Sequence, residues 1–110
     1  MKPYEIDIIL ARDVCRFKLR ECFYPSGMTG KNYEIVGREH VTVVGEHWRP
    51  TRDLRHAWEV VEALGQPFFL QLKDGGALAV FRDYEDKKIE IEHQRPAMAI
   101  CLGVLAVLGI

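Results

Sequence analysis

Apolar residues recur at helical spacing near the amino terminus, where Ile6, Ile9, Leu10 and Val14 fall on one stripe and Pro3 suits a first turn. Glu5 and Asp7 place negative charge at the positive end of that helix, which is predicted over 3–14. From 17 to 24 the pattern alternates, with Lys18 and Arg20 around Leu19, so a short strand is expected before Pro25, Ser26, Gly27 and Gly30 break it. The pieces 33–36 and 40–44 are β-prone and separated by Gly37, which predicts a small irregular hairpin.

The clearest element follows. Thr51 is placed to cap a helix, Asp53 favours its dipole, and Gly65 ends the pattern, so a helix is predicted over 52–64. On its wheel Leu54, Ala57, Trp58, Val61 and Leu64 form a core face, opposite Arg52, Arg55, His56, Glu59 and Glu62. Strands at 67–72, 77–82 and 89–93, joined by Asp74-Gly75-Gly76 and by 83–88, make a meander, and Pro96 opens a last helix over 97–108. An antiparallel sheet between helical layers would cover every apolar face, so the expected fold is an α+β, three-layer α/β/α sandwich.

Residues 97–110 carry no charge, yet a helix of about 14 residues spans only about 21 Å, short of the roughly 30 Å of a bilayer core. No membrane role is expected. A helix apolar all round must be covered on more than one side, which predicts a homo-oligomer through this C-terminal helix or, alternatively, a helix sunk into its own sheet.

The length of 110 residues fits a single domain, and 48% hydrophobic with 28% charged residues fits a globular chain. A formal net charge of -1 argues against general DNA or RNA binding, which needs excess positive charge. Cys15, Cys22 and Cys101 are an odd set without CxxC spacing, and residues 1–10 lack the unbroken apolar run of a signal peptide. A cytoplasmic protein with structural thiols is expected.

Two segments carry a resemblance: Arg49-Pro50-Thr51-Arg52-Asp53-Leu54-Arg55-His56-Ala57-Trp58-Glu59-Val60-Val61-Glu62, and Pro96-Ala97-Met98-Ala99-Ile100-Cys101-Leu102-Gly103-Val104-Leu105. Their capped Ala-Trp-x-Val-Val helix, the strands between them and the closing Ala-Ile-Cys helix resemble the phage ABA sandwich family of small phage and prophage proteins. Ala11-Arg12-Asp13-Val14 is similar to that family's first helix. Relatives usually carry Arg and Ala after the Cys, where this chain has Leu102 and Gly103. The resemblance implies a fold and a host-cell cytoplasmic setting, and it brings no assigned activity and no catalytic residues.

Read for chemistry, the chain offers little. His40, His47, His56 and His93 lack the spacing of common zinc sites, and Ser26, the only serine, has no nucleophile-elbow context. Neither a P-loop nor a dinucleotide fingerprint is present. Hence no enzyme, metal or cofactor is expected; a nucleotide hydrolase would have to use His47 or His56 as acid or base. One constellation stands out: Arg49, Arg52 and Arg55 crowd the already positive start of the second helix beside Trp48 and His56. Asp53 and Glu59 can compensate that charge from within. Alternatively, a small anionic, nucleotide-derived ligand accepts from the amides of Arg52 to Leu54 and from Arg49, Arg52 or Arg55, with Trp48 stacked on its ring and Tyr24, Tyr33 and Arg38 as further walls. The resulting expectation is a non-catalytic ligand-binding protein acting in counter-defence by sequestering a host signal. The rival is an interaction module whose arginines grip an acidic host protein.

Overall fold

The computed structural model describes residues 1–23 and 32–110. Pro3 opens helix α1 (Pro3–Ile9), which continues without a break into a π-helical turn over Leu10–Val14. Cys15 N–H reaches back five residues to Leu10 O at 3.0 Å, and Phe17 N–H reaches Ala11 O at 2.9 Å. Arg16 then takes a left-handed conformation with φ 55°, which turns the chain out of the helix. The stripe it buries is Ile6, Asp7, Leu10, Ala11 and Val14.

Strand β1 (Leu19–Cys22) pairs antiparallel with β2 (Asn32–Ile35), Leu19 opposite Ile35. The irregular hairpin expected around Gly37 is present as one bridge, Glu34 to Val43, held by Ile35 N–H to Thr42 O and Val44 N–H to Tyr33 O. Sequence patterning did not show that β2 takes β1 as its main partner. Pro25, Ser26, Gly27 and Gly30, read as a loop, and Tyr24, read as a wall of the site, lie outside the described residues.

Helix α2 (Leu54–Leu64) starts two residues later than its pattern suggests. Its N-cap is Asp53, whose carboxylate accepts from Arg55 N–H at 2.9 Å, and not Thr51, which is wholly buried in the turn before it. Gly65 ends the helix at φ 71° as expected of a left-handed C′ residue. The core face is rotated from the predicted one. Ala57 and Val60 are fully buried, whereas Leu54 and Trp58 remain 43% and 44% exposed.

Strands β3 (Phe68–Lys73), β4 (Gly76–Arg82) and β5 (Lys88–His93) form the expected antiparallel meander. Phe68, Phe81 and Ile89 share one face, as do Leu70, Ala79 and Ile91, and this face packs on helix α3 (Pro96–Leu108). The fold is therefore α+β, as the patterning predicts. In the arrangement of layers it differs from a sheet enclosed by helices: α3 lies on the sheet, α2 packs on α3, and the outer face with Phe69, Gln71, Glu90 and Glu92 stays exposed. The alternation of Ile89 and Ile91 with Glu90 and Glu92 explains this, since it supplies one apolar face only.

Helix α3 is buried from Ala97 through Val107 at nearly every position, between β4 and β5 on one side and α2 on the other. Of the two alternatives for this helix, the structure bears out burial within its own chain, so a homo-oligomer through α3 is not needed to cover it. Among the described residues no helix is long and apolar enough to cross a membrane.

Candidate functional site

The arginine-rich start of α2 is built on a compact turn. Arg52 N–H and Asp53 N–H both donate to Arg49 O, at 3.0 and 2.8 Å, so two of the amides offered to an anion already have partners. The Arg52 guanidinium donates to Gly45 O. Arg55, its side chain 86% exposed, pairs with Asp53 at 3.0 Å, and this guanidinium holds the Asp53 carboxyl at about 2. Arg49 is exposed beside them.

Trp48 has a different place from the one its neighbours suggest. It is 2% exposed, with Phe17 edge-on against it at 5.2 Å between ring centroids and His56 stacked at 6.1 Å. Its Nε1–H points to Glu59 Oε2 at 3.4 Å. Stacking on a ligand ring is thus corrected to a core role, since almost none of the indole is open to solvent. His56 likewise turns inward, and its Nδ1 accepts from Arg49 N–H at 3.1 Å. Burial lowers the pKa of this imidazole despite nearby Asp53 and Glu59, and a ring nitrogen that accepts from an amide carries no proton. His47 is oriented in the same way, its Nδ1 accepting from Val43 N–H at 3.0 Å. Both histidines therefore serve the loop as acceptors. Tyr33 lies on β2, and Arg38 stacks over Phe17 with 5.0 Å to the ring centroid.

The patterning missed two features. The first lies beneath the turn: Thr51 N–H donates to Asp7 Oδ1 at 3.0 Å, joining the first helix to the start of the second. Burial pushes the Asp7 carboxyl up to about 6, against the opposing pull of Thr51, Arg52 and Arg49. Among the described residues Asp7 Oδ2 and Thr51 Oγ1 have no hydrogen-bond partner. The signal was available, because Asp7 stands next to Ile6 on the buried stripe and not only near the helix dipole. The second is a shallow concavity of about 400 Å³ lined by Leu54, Arg55 and Trp58. Trp58 leans edge-on against Phe68 at 5.4 Å and leaves the rest of its ring to solvent. Its signal was Leu54 and Trp58 at the outer border of the apolar face, flanking Arg55.

The three thiols are shifted away from reactivity. Burial raises Cys15 to about 11 and moves Cys22 and Cys101 in the same direction.

Comparison with known families places this geometry. A family model described as the phage ABA sandwich domain matches residues 8–105. The chain belongs to the phage ABA sandwich domain family. No curated protein and no solved structure gave a match. The match includes the whole 49–58 region, and in this phage ABA sandwich domain the resembling motifs supply core residues: Ala57, Val60, Ala99, Ile100 and Cys101 have no exposed surface. Trp58 and Leu54, apolar residues of the first motif, stay exposed.

Proposed function

We infer that this phage ABA sandwich domain is a non-catalytic interaction module that docks a host protein on the outer surface of α2. The carrying observation is Trp58, an indole 44% exposed beside Leu54 and Arg55 at a shallow apolar concavity. Trp and Arg together supply the large, partly desolvated contacts that dominate protein interfaces. Arg49 and Arg52 on the adjoining turn are also exposed, which suits a partner segment with an apolar side chain followed by carboxylates. The test is capture from host lysate followed by affinity measurement on the purified pair. Trp58→Ala is expected to weaken binding about thirtyfold, the size of an interface hot spot, with Arg55→Ala weakening it less. A partner held equally well by both variants overturns the reading.

A second reading, a small anionic and nucleotide-derived ligand sequestered as counter-defence, keeps support from the three exposed arginines at one end of α2. With Trp48 in the core and His56 engaged by Arg49 N–H, it rests on Arg49, Arg52 and Arg55 alone. A thermal-shift screen with cyclic oligonucleotides, cyclic ADP-ribose isomers and ordinary nucleotides tests it. A ligand at about a hundred times its Kd stabilises by about 2.7 kcal/mol, and that shift should vanish in Arg49→Ala/Arg52→Ala. No shift with any member removes this reading and leaves the protein partner.

A further inference from the structure

β3 borders the three-stranded sheet, and among the described residues no strand pairs with its outer edge. The direction of its peptide groups follows from one hydrogen bond. Arg82 N–H donates to Pro67 O at 3.3 Å, so position 67 turns toward β4. In an antiparallel pair successive residues turn alternately toward and away from the neighbour. Positions 69, 71 and 73 therefore also face β4, and the peptide groups of Phe68, Leu70 and Leu72 point to the open edge. Asp83 N–H, directed the other way to Lys87 O at 3.0 Å, agrees with this alternation.

The side chains of the same three residues lie on the face that packs toward α3, because Phe68 is opposite Phe81, Leu70 opposite Ala79 and Leu72 opposite Ala77. Edge-directed backbone and inward-directed side chains thus coincide. Two copies of β3 running antiparallel about a two-fold axis at Leu70 would set Leu70 against Leu70, Phe68 against Leu72 and Phe69 against Gln71. Each edge-directed group then has a partner, for about six hydrogen bonds, and each inner side chain meets an inner side chain. A slip of one residue would turn one copy's apolar face outward, and a slip of two would leave one edge-directed residue of each copy unpaired within the strand, so the Leu70-centred register is favoured.

Charge separates this edge from the opposite one. The only charged residue of β3 is Lys73, and it reaches across the sheet to Glu92, away from the edge. No like charges would meet, and Leu72 and Phe69, now 67% and 58% exposed, would be covered. β5 carries Lys88, Glu90 and Glu92 exposed along its length, an arrangement that discourages edge pairing. One edge is guarded and the other is open.

We propose that β3 pairs with β3 of a second copy of this chain, joining the two sheets into one across a two-fold axis. This interface is separate from the concavity on α2. Sedimentation of the full chain over the micromolar range is expected to show a reversible dimer. Leu72→Lys, at an exposed position, should raise the dimer dissociation constant about tenfold or more by setting an ammonium against Phe68 of the second copy. Phe69→Cys/Gln71→Cys should form a reducible cross-linked dimer, because that pair faces across the axis at disulfide distance, while Glu90→Cys should not. A wild-type chain that stays monomeric throughout, or a dimer with unchanged affinity in Leu72→Lys, overturns the proposal.

Discussion

Replacing Gly103 with alanine is expected to destabilise the protein by about 3 kcal/mol, although alanine is the better helix former by about 1 kcal/mol. A Cβ built at Gly103 would stand 2.3 Å from Phe81 Cε2 and 2.6 Å from Cδ2, far inside any real contact. The ring has nowhere to retreat. Phe81 is wholly buried, and Phe68 lies against it with 4.7 Å between centroids. Strain in a core with such packing is relieved only by moving α3 away from β4, which opens the contact on which the fold rests. Thermal unfolding should show a fall in Tm of roughly 10 °C or more. The steric cause is checked by a double-mutant cycle: Phe81→Leu vacates the space, so Gly103→Ala should cost at least 1 kcal/mol less in that background. Additive effects would show that the ring is not the obstacle. Glycine at this position thus has a structural reason, since Gly103 is the space into which Phe81 packs.

Asp7→Asn is expected to act in the opposite direction and to stabilise the protein above neutral pH by up to about 3 kcal/mol. Asp7 has no exposed surface, and its carboxyl is raised from 3.8 to about 6, chiefly by burial. A carboxyl with a raised folded-state pKa contributes stability that is complete below the unfolded value and is lost as pH rises through the folded one. For Asp7 that window runs from about pH 4 to about pH 7. Asparagine keeps the acceptor for Thr51 N–H, brings a donor within the same shape, and carries no charge at any pH. His56, whose lowered pKa opposes the trend as pH falls, and Asp53, whose lowered pKa acts in acid, both titrate in variant and wild type alike. Denaturant melts of the two proteins across pH 4–8 therefore isolate Asp7 as a difference. That difference should be small near pH 4 and grow through pH 6. A constant difference would show that the buried carboxyl does not titrate as its surroundings require.

These results bear on function through rigidity. The Asp7–Thr51 bond and the Trp48–His56 stack hold the turn from which α2 starts, and that turn carries Arg49, Arg52 and Arg55. On the proposed reading, a backbone fixed in this way would need little ordering when a partner docks on α2.

Local rules made much of the fold legible in the sequence. Pro3 and Pro96 open helices, Gly65 closes one in a left-handed conformation, and the Asp74-Gly75 turn joins two strands, each an effect of a few neighbouring residues. The meander and the closing helix follow from alternation and from an uncharged run. The chain's membership of its family was likewise readable, because the Ala57 and Ala99-Ile100-Cys101 segments are buried motifs whose residue types are set by packing. Asp53 as the compensating charge for Arg55 was also readable from spacing.

What only the tertiary structure decided are relations between segments far apart in the chain. Trp48 and Trp58 are both aromatic residues near arginines, and nothing local says which is exposed; Phe17 and His56 pack on the first, and among the described residues Phe68 is the ring against the second. The fate of Asp7 depended on Thr51, and that of α3 on whether its own sheet and α2 would cover it. Periodicity can state that a face must be buried, because water excludes apolar surface whatever the partner. It cannot name the partner, since hydrophobic burial has no direction, and only the assembled packing decides which faces meet and which remain for others.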